Sequence, residues 1–179
     1  MKKRYKNGVK MKMNKQLLLP LIIFLIVIFG WILVTPEPDI VQPIQYNHKK
    51  HIEDAELDCT DCHIYVESNA KATIPNIEIC SNCHSDEPMT DSPEEEKLLS
   101  YIEKGEKIPW VQIYSVPDHV YFSHRRHVTI GNLECKTCHG NVPELIKPAP
   151  HQLIQISMNN CIDCHREKGI ERDCIGCHN

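Results

Sequence analysis

The sequence predicts a mostly irregular chain with short α-helices, attached to one N-terminal transmembrane helix. Three observations predict it: an uncharged apolar block over residues 17–34, a remainder poor in large apolar side chains, and ten cysteines gathered into five copies of one short pattern. At 179 residues the chain is long enough for one ordinary domain. What it lacks is the apolar material to fill one.

The block Leu17–Val34 contains no charge. At about 1.5 Å per helical residue it reaches roughly 27 Å, enough to cross a hydrocarbon core. Lys2, Lys3, Arg4, Lys6, Lys10, Lys12 and Lys15 precede it, and no acid does. This bias places residues 1–16 in the cytoplasm as a basic N-terminus, 17–34 across the inner membrane as a single-pass signal anchor, and everything downstream in the periplasm or outside the cell. A cleaved signal peptide is the rival reading. The block is longer than the usual apolar region of such a peptide, and no small-x-small site follows it.

Pro36, Pro38 and Pro43 favour extended backbone, so residues 35–44 read as a semi-rigid spacer before a domain over 45–179. Beyond Val34 the chain carries 13 bases against 24 acids. So acidic a domain is no nucleic-acid binder. It favours basic protein partners over anionic lipid headgroups.

The cysteines carry the chemistry. They form Cys59-Thr-Asp-Cys62-His63, Cys80-Ser-Asn-Cys83-His84, Cys135-Lys-Thr-Cys138-His139, Cys161-Ile-Asp-Cys164-His165 and Cys174-Ile-Gly-Cys177-His178. CxxCH is the attachment motif of c-type haem: two thiols add to the two vinyl groups of one porphyrin, and the next residue supplies the proximal imidazole. Zinc sites, redox dithiols and disulfide frameworks also use paired cysteines. None of them needs a histidine after every second cysteine, and no cysteine is left over. Five covalent haems, with iron on His63, His84, His139, His165 and His178, follow from the pattern. About 29 residues beyond the membrane block serve each motif, too few to build a normal core, so the macrocycles themselves are expected to form the interior.

Six histidines remain: His48, His51, His119, His124, His127 and His151. Gln45-Tyr-Asn-His48-Lys-Lys-His51-Ile52 and Tyr121-Phe-Ser-His124-Arg-Arg-His127-Val128 are similar, and in both the next motif begins eight positions after the second histidine. This is an internal repeat, 45–84 and 121–165, extended by a further haem motif at 174–178. At i and i+3 on a helical turn two side chains share a face but diverge by about 60°. One imidazole therefore reaches the haem attached just downstream and the other a different haem. A solvated basic patch is the plainer alternative, given Lys49, Lys50, Arg125 and Arg126. These four histidines leave one haem without a distal ligand. His119 is the first candidate and His151 the alternative; Met158 or Met89 as a thioether ligand is a weaker one, since methionine more often simply packs.

The HxxH-before-CxxCH arrangement resembles the class III multihaem cytochromes c, small bis-histidine electron carriers packed around their haems. The stretch Trp110–Val128 (WVQIYSVPDHVYFSHRRHV), with Cys135–Gly140 and Met158–Arg166 (MNNCIDCHR), is similar to the membrane-anchored multihaem subunit of alternative complex III and the related menaquinone reductase complexes. The resemblance covers roughly residues 40–179. It implies exchange of electrons with iron–sulfur and quinone-binding membrane subunits, or with a periplasmic redox protein. It also implies that His48 serves the haem on Cys59/Cys62 and His124 the haem on Cys135/Cys138, while His51 and His127 cross to other haems. Tyr114 stands where many relatives have histidine.

Between the repeats, Ser92-Pro93-Glu94-Glu95 reads as a helix start, with Ser92 as N-cap, Pro93 at the first position and Glu95 closing a capping box. Leu98, Leu99 and Ile102 form one face, and Gly105 is the stop. Asp91, Glu94, Glu95 and Glu96 read as a solvated helix terminus. Trp110–Tyr121 reads as extended chain.

Two imidazoles saturate an iron, so such a haem gains and loses electrons and binds no substrate; two histidines also favour a lower potential than a His/Met pair. A non-catalytic electron-transfer subunit of an oxidoreductase complex is therefore expected. A stand-alone membrane-anchored quinol dehydrogenase is the alternative. A multihaem reductase is disfavoured, because all five motifs end in histidine.

Overall fold

The computed structural model describes residues 15–34, 38–85, 87–170 and 173–178. The basic stretch up to Asn14 and residues 35–37 of the spacer lie outside them. The chain divides into two compact units, Met1–Pro38 and Asp39–Asn179.

The first unit contributes helix α1, Lys15–Val34. Leu19, Phe24, Phe29 and Trp31 are all exposed on it, so its apolar surface runs around the whole circumference. Only the side chains of residues 18–31 are described. Within what is described, no helix is long and apolar enough to cross a membrane.

The second unit is built from short pieces. Its helices are α2 (His48–Glu53), α3 (Cys59–Cys62), α4 (Ile77–Cys80), α5 (Pro93–Lys104), α6 (Lys136–His139), α7 (Met158–Glu167) and α8 (Cys174–Cys177), with a π-turn at Arg126–Ile130 and a 3₁₀ turn at Val142–Glu144. Among the described residues, β pairing is limited to an isolated bridge between Val120 and His178. Buried apolar side chains among them are Ile44, Val66 and Ile108 alone, and none is completely enclosed. So small a core cannot offset the backbone entropy of ordering such a unit.

Side-chain amides hold together what a sheet would otherwise pair. Residues 106–117 have no regular structure. Gln42 is buried and brackets Val111, donating to its carbonyl at 2.7 Å and accepting from its N–H at 2.9 Å. Asn76 does the same for Ile108, at 3.1 and 2.9 Å. Trp110 Nε1 donates to the Pro75 carbonyl at 2.9 Å, so an indole that would otherwise lose its partner on burial keeps one. These contacts tie the middle segment to both sides of the first repeat.

Helix α5 starts and stops as its sequence predicts, with one correction. Ser92 accepts from the Glu94 N–H, Pro93 opens the helix, and Gly105 takes the left-handed conformation at φ 64° that ends it. Glu95 does not turn back to the Ser92 N–H. Its side chain is buried, and both oxygens take donors from elsewhere: Met89 N–H at 2.9 Å, Thr90 N–H at 2.8 Å and Thr90 Oγ at 2.6 Å. Glu94 is likewise engaged, accepting from the Gln45 N–H at 2.6 Å and from Lys97 at 2.7 Å. At these two positions the acidic cluster fastens structure instead of facing solvent.

Candidate haem centres

Each CxxCH motif folds the same way locally. The amide of the motif histidine donates to the carbonyl of the first cysteine: His63 to Cys59 at 2.9 Å, His84 to Cys80 at 3.0 Å, His139 to Cys135 at 3.0 Å and His178 to Cys174 at 2.9 Å. His165 lies within α7 together with Cys161 and Cys164. One helical turn thus sets thiols three residues apart on one face with the histidine just beyond. All ten thiols are free of disulfides, each at least partly exposed.

The structure sets a second imidazole against four of the motif histidines. Ring centroids are 6.2 Å apart for His51–His84, 6.3 Å for His124–His139, 6.1 Å for His127–His165 and 5.5 Å for His119–His178. His48 neighbours His63: burial first, then the charges of His63 and His51, push its pKa down to about 4. Burial also lowers His63 and His139, with further repulsion from His124 in each case. Neutral imidazoles are what a metal requires.

These spacings have a chemical meaning. Imidazole nitrogens sit about 2.0–2.1 Å from a bound first-row metal and the ring centre roughly 1.1 Å behind, so two rings facing each other across one metal have centroids about 6.2 Å apart. Three of the pairs match that figure closely and the fourth is somewhat tighter. Hydrogen bonds fix the tautomers as well. Nδ1 of His51 donates to the Asn47 carbonyl at 2.8 Å, His127 to Ser123 at 2.8 Å, His124 to Ala70 at 3.1 Å and His63 to Thr73 at 3.4 Å. A carbonyl oxygen accepts only, so each of these rings carries its proton on Nδ1 and offers the Nε2 lone pair. Nδ1 of His48 is buried with no partner.

The donor set fits haem better than zinc. Among the described residues no three His, Cys, Asp or Glu side chains converge as a metal cage of their own. What converges is two imidazoles, with two thiols one turn away. Exposed Ile64, Ile130, Ile146 and Ile175 add apolar surface that a porphyrin could cover. His151 stands apart, highly exposed, with Nδ1 3.9 Å from Asp39. Met89 and Met158 are also exposed.

Two aromatic residues that spacing alone did not single out complete the pairs. Tyr46 stacks on His51 at 4.4 Å and meets His48 edge-on at 4.7 Å. Phe122 stacks on His127 at 4.8 Å and meets His124 edge-on at 4.9 Å. Each precedes its HxxH by two residues, so the repeat itself carried the signal. Tyr114 packs edge-on against His139 at 4.5 Å, and its hydroxyl accepts from the Leu153 N–H at 2.9 Å.

The motifs also neighbour one another in a definite order. Burial, then repulsion from Cys62, pushes the Cys80 thiol up to about 11. Cys62 is raised by burial and by Asp61, with Cys83 adding to the effect. Cys59 is raised by burial and by the neighbouring Cys135. Cys138 is raised by burial and by Cys164 and Cys161, and Cys161 by burial and by Cys177. The thiol pairs therefore follow one another as 80/83, 59/62, 135/138, 161/164 and 174/177. Backbone bonds from His124 to Ala70 and from Arg125 to Asn69 join the two repeats at the middle of this row. A bond from Tyr121 to Cys177 fastens its last member.

Comparison with known proteins agrees with this chemistry. Over 98 residues the chain is 36% identical to a protein named as the multihaem cytochrome c subunit of menaquinone reductase in Nitratidesulfovibrio vulgaris. That match covers 55% of this chain and 45% of the relative, so the chain spans less than half of the relative's length. A family described as cytochrome c7 and related cytochrome c matches residues 44–98 and 120–179, one block for each repeat. Those two blocks make up more than half of the sequence, and the chain belongs to the cytochrome c7 and related cytochrome c family of multihaem electron-transfer proteins, which bind haem c covalently.

Proposed function

We propose that the chain carries five bis-histidine haems in a row and passes electrons along it on the outer face of the cytoplasmic membrane. The observation that carries this reading is the set of four facing imidazole pairs, His51/His84, His124/His139, His127/His165 and His119/His178, with His48 near enough to His63 for their charges to interact. The ligand pairs are His48/His63, His51/His84, His124/His139, His127/His165 and His119/His178. Haem supplies the redox chemistry. The chain's own contribution would be to place the imidazoles in facing pairs, with the Nε2 lone pairs of His51, His63, His124 and His127 turned away from their backbone hydrogen bonds, so that an iron held between two imidazoles would take no further ligand.

Spacing within HxxH explains how neighbouring haems are coupled. His48 and His51 on α2 serve different motifs, as do His124 and His127 at the start of the second repeat. One short helix thereby joins two haems, and Tyr46 or Phe122 braces both imidazoles from between. The repeat builds the row 80/83–59/62–135/138–161/164, and His119 and the 174–178 motif extend it by one.

Residues 17–34 anchor this unit to the membrane, uncharged and preceded by seven basic residues. The relative is named as a subunit of a menaquinone reductase, which supports a quinone-linked complex; the partners proposed for this chain are iron–sulfur and quinone-binding membrane subunits, as the sequence resemblance implies. Affinity purification of the tagged holoprotein from detergent-solubilised membranes tests this. Such subunits should copurify, and menaquinol should reduce the haems in the complex but not in the isolated chain. Rapid reduction of the isolated chain by menaquinol would instead make it a quinol dehydrogenase in its own right.

A further inference from the structure

Glu95 performs none of the roles its position predicts. It lies in the first turn of α5, 6% exposed, and leaves the helix end to bind inward. Oε1 lies 2.8 Å from Nδ1 of His84 and also takes the Met89 N–H, while Oε2 takes both the N–H and the hydroxyl of Thr90. Three donors from Met89 and Thr90 converge on its two oxygens, an arrangement that favours the ionised carboxylate. An ionised carboxylate accepts and does not donate, so His84 must give its Nδ1 proton to this bond.

The contrast with the other imidazoles is chemical. His51, His63, His124 and His127 donate to neutral backbone carbonyls, whereas His84 donates to a full negative charge shielded from water. A carboxylate behind an axial imidazole draws its proton away and makes Nε2 a stronger electron donor. A more basic axial ligand stabilises ferric over ferrous iron, and a buried negative charge nearby also opposes the arrival of an electron. Met89, Thr90 and Glu95 form a rigid bracket for this purpose, since three donors fix the carboxylate independently of His84.

On the reading that the row 80/83 to 174/177 is a chain of haems, we infer that Glu95 is a positioning residue that lowers the reduction potential of the terminal haem on Cys80/Cys83. It acts through His84 and gives the row a low-potential end.

Two variants of the holoprotein test this in opposite directions. Each is purified with its haem count checked by intact mass and followed by optical potentiometric titration. Glu95→Gln keeps the shape but removes the charge, and should move one one-electron component to higher potential with the others in place. Thr90→Val removes one donor to Oε2, leaves the carboxylate more basic, and should move that same component lower. If five haems are retained and neither variant shifts any component, Glu95 is only a structural bracket and the inference is overturned. If Glu95→Gln fails to mature, Thr90→Val alone decides by the same criterion. A wild-type protein with fewer than five haems would instead refute the underlying row, an outcome separable by mass before any titration.

Discussion

Sequence spacing leaves both His119 and His151 open as the partner of a fifth haem, and their surroundings separate them. His119 stacks on His178, while His151 is solvent-exposed near Asp39. We expect His119→Ala to convert one low-spin haem in five to high spin and His151→Ala to leave all five unchanged, read from the visible spectrum and low-temperature EPR. The aromatic braces give a second prediction. Phe122 makes two ring contacts worth roughly 0.5–1.5 kcal/mol each, so Phe122→Ala should destabilise the holoprotein by about 1–3 kcal/mol in denaturant titration. The cysteines and motif histidines were legible at this scale because a covalent cofactor demands fixed spacing. Tyr46 and Phe122 occupy matching places in the two octapeptides, but an aromatic residue in a repeat reads as packing until its neighbours are seen.

At the scale of elements, α5 shows where local rules hold and where tertiary contacts override them. Its N-cap, first-turn proline and left-handed Gly105 follow from backbone geometry and were readable from sequence. Gly105→Ala should cost about 1 kcal/mol, because the site is open but its φ of 64° is strained for a side chain. The destination of Glu95 was not readable, since its partners Thr90 and His84 are set by a loop that no periodicity encodes. Glu94 offers a test by pH. Hydrogen bonds from Lys97 and from the Gln45 N–H hold its pKa below the ordinary 4.5. Its folded pKa is therefore lower than its unfolded one, and its stabilisation is complete above the unfolded value and lost as pH falls through the folded value. Denaturant midpoints measured from pH 6 downward should show a shallower acid limb in Glu94→Gln than in the wild type.

At the scale of the whole molecule, the composition already says that the second unit lacks an interior of its own, and the three buried apolar side chains among the described residues make the same point. Expressed without haem attachment, that unit should give a far-UV spectrum of low helicity, no cooperative thermal transition and rapid proteolysis. The order of the motifs was not legible, because which thiol pairs adjoin depends on how the repeats meet at Ala70 and His124 and not on their sequence separation. The most direct test of five bis-histidine haems in one chain is spin quantitation by low-temperature EPR on the oxidised, mature holoprotein. The account predicts five low-spin ferric haems per polypeptide and no high-spin signal. A high-spin component approaching one spin per chain, or a total well short of five, would contradict it.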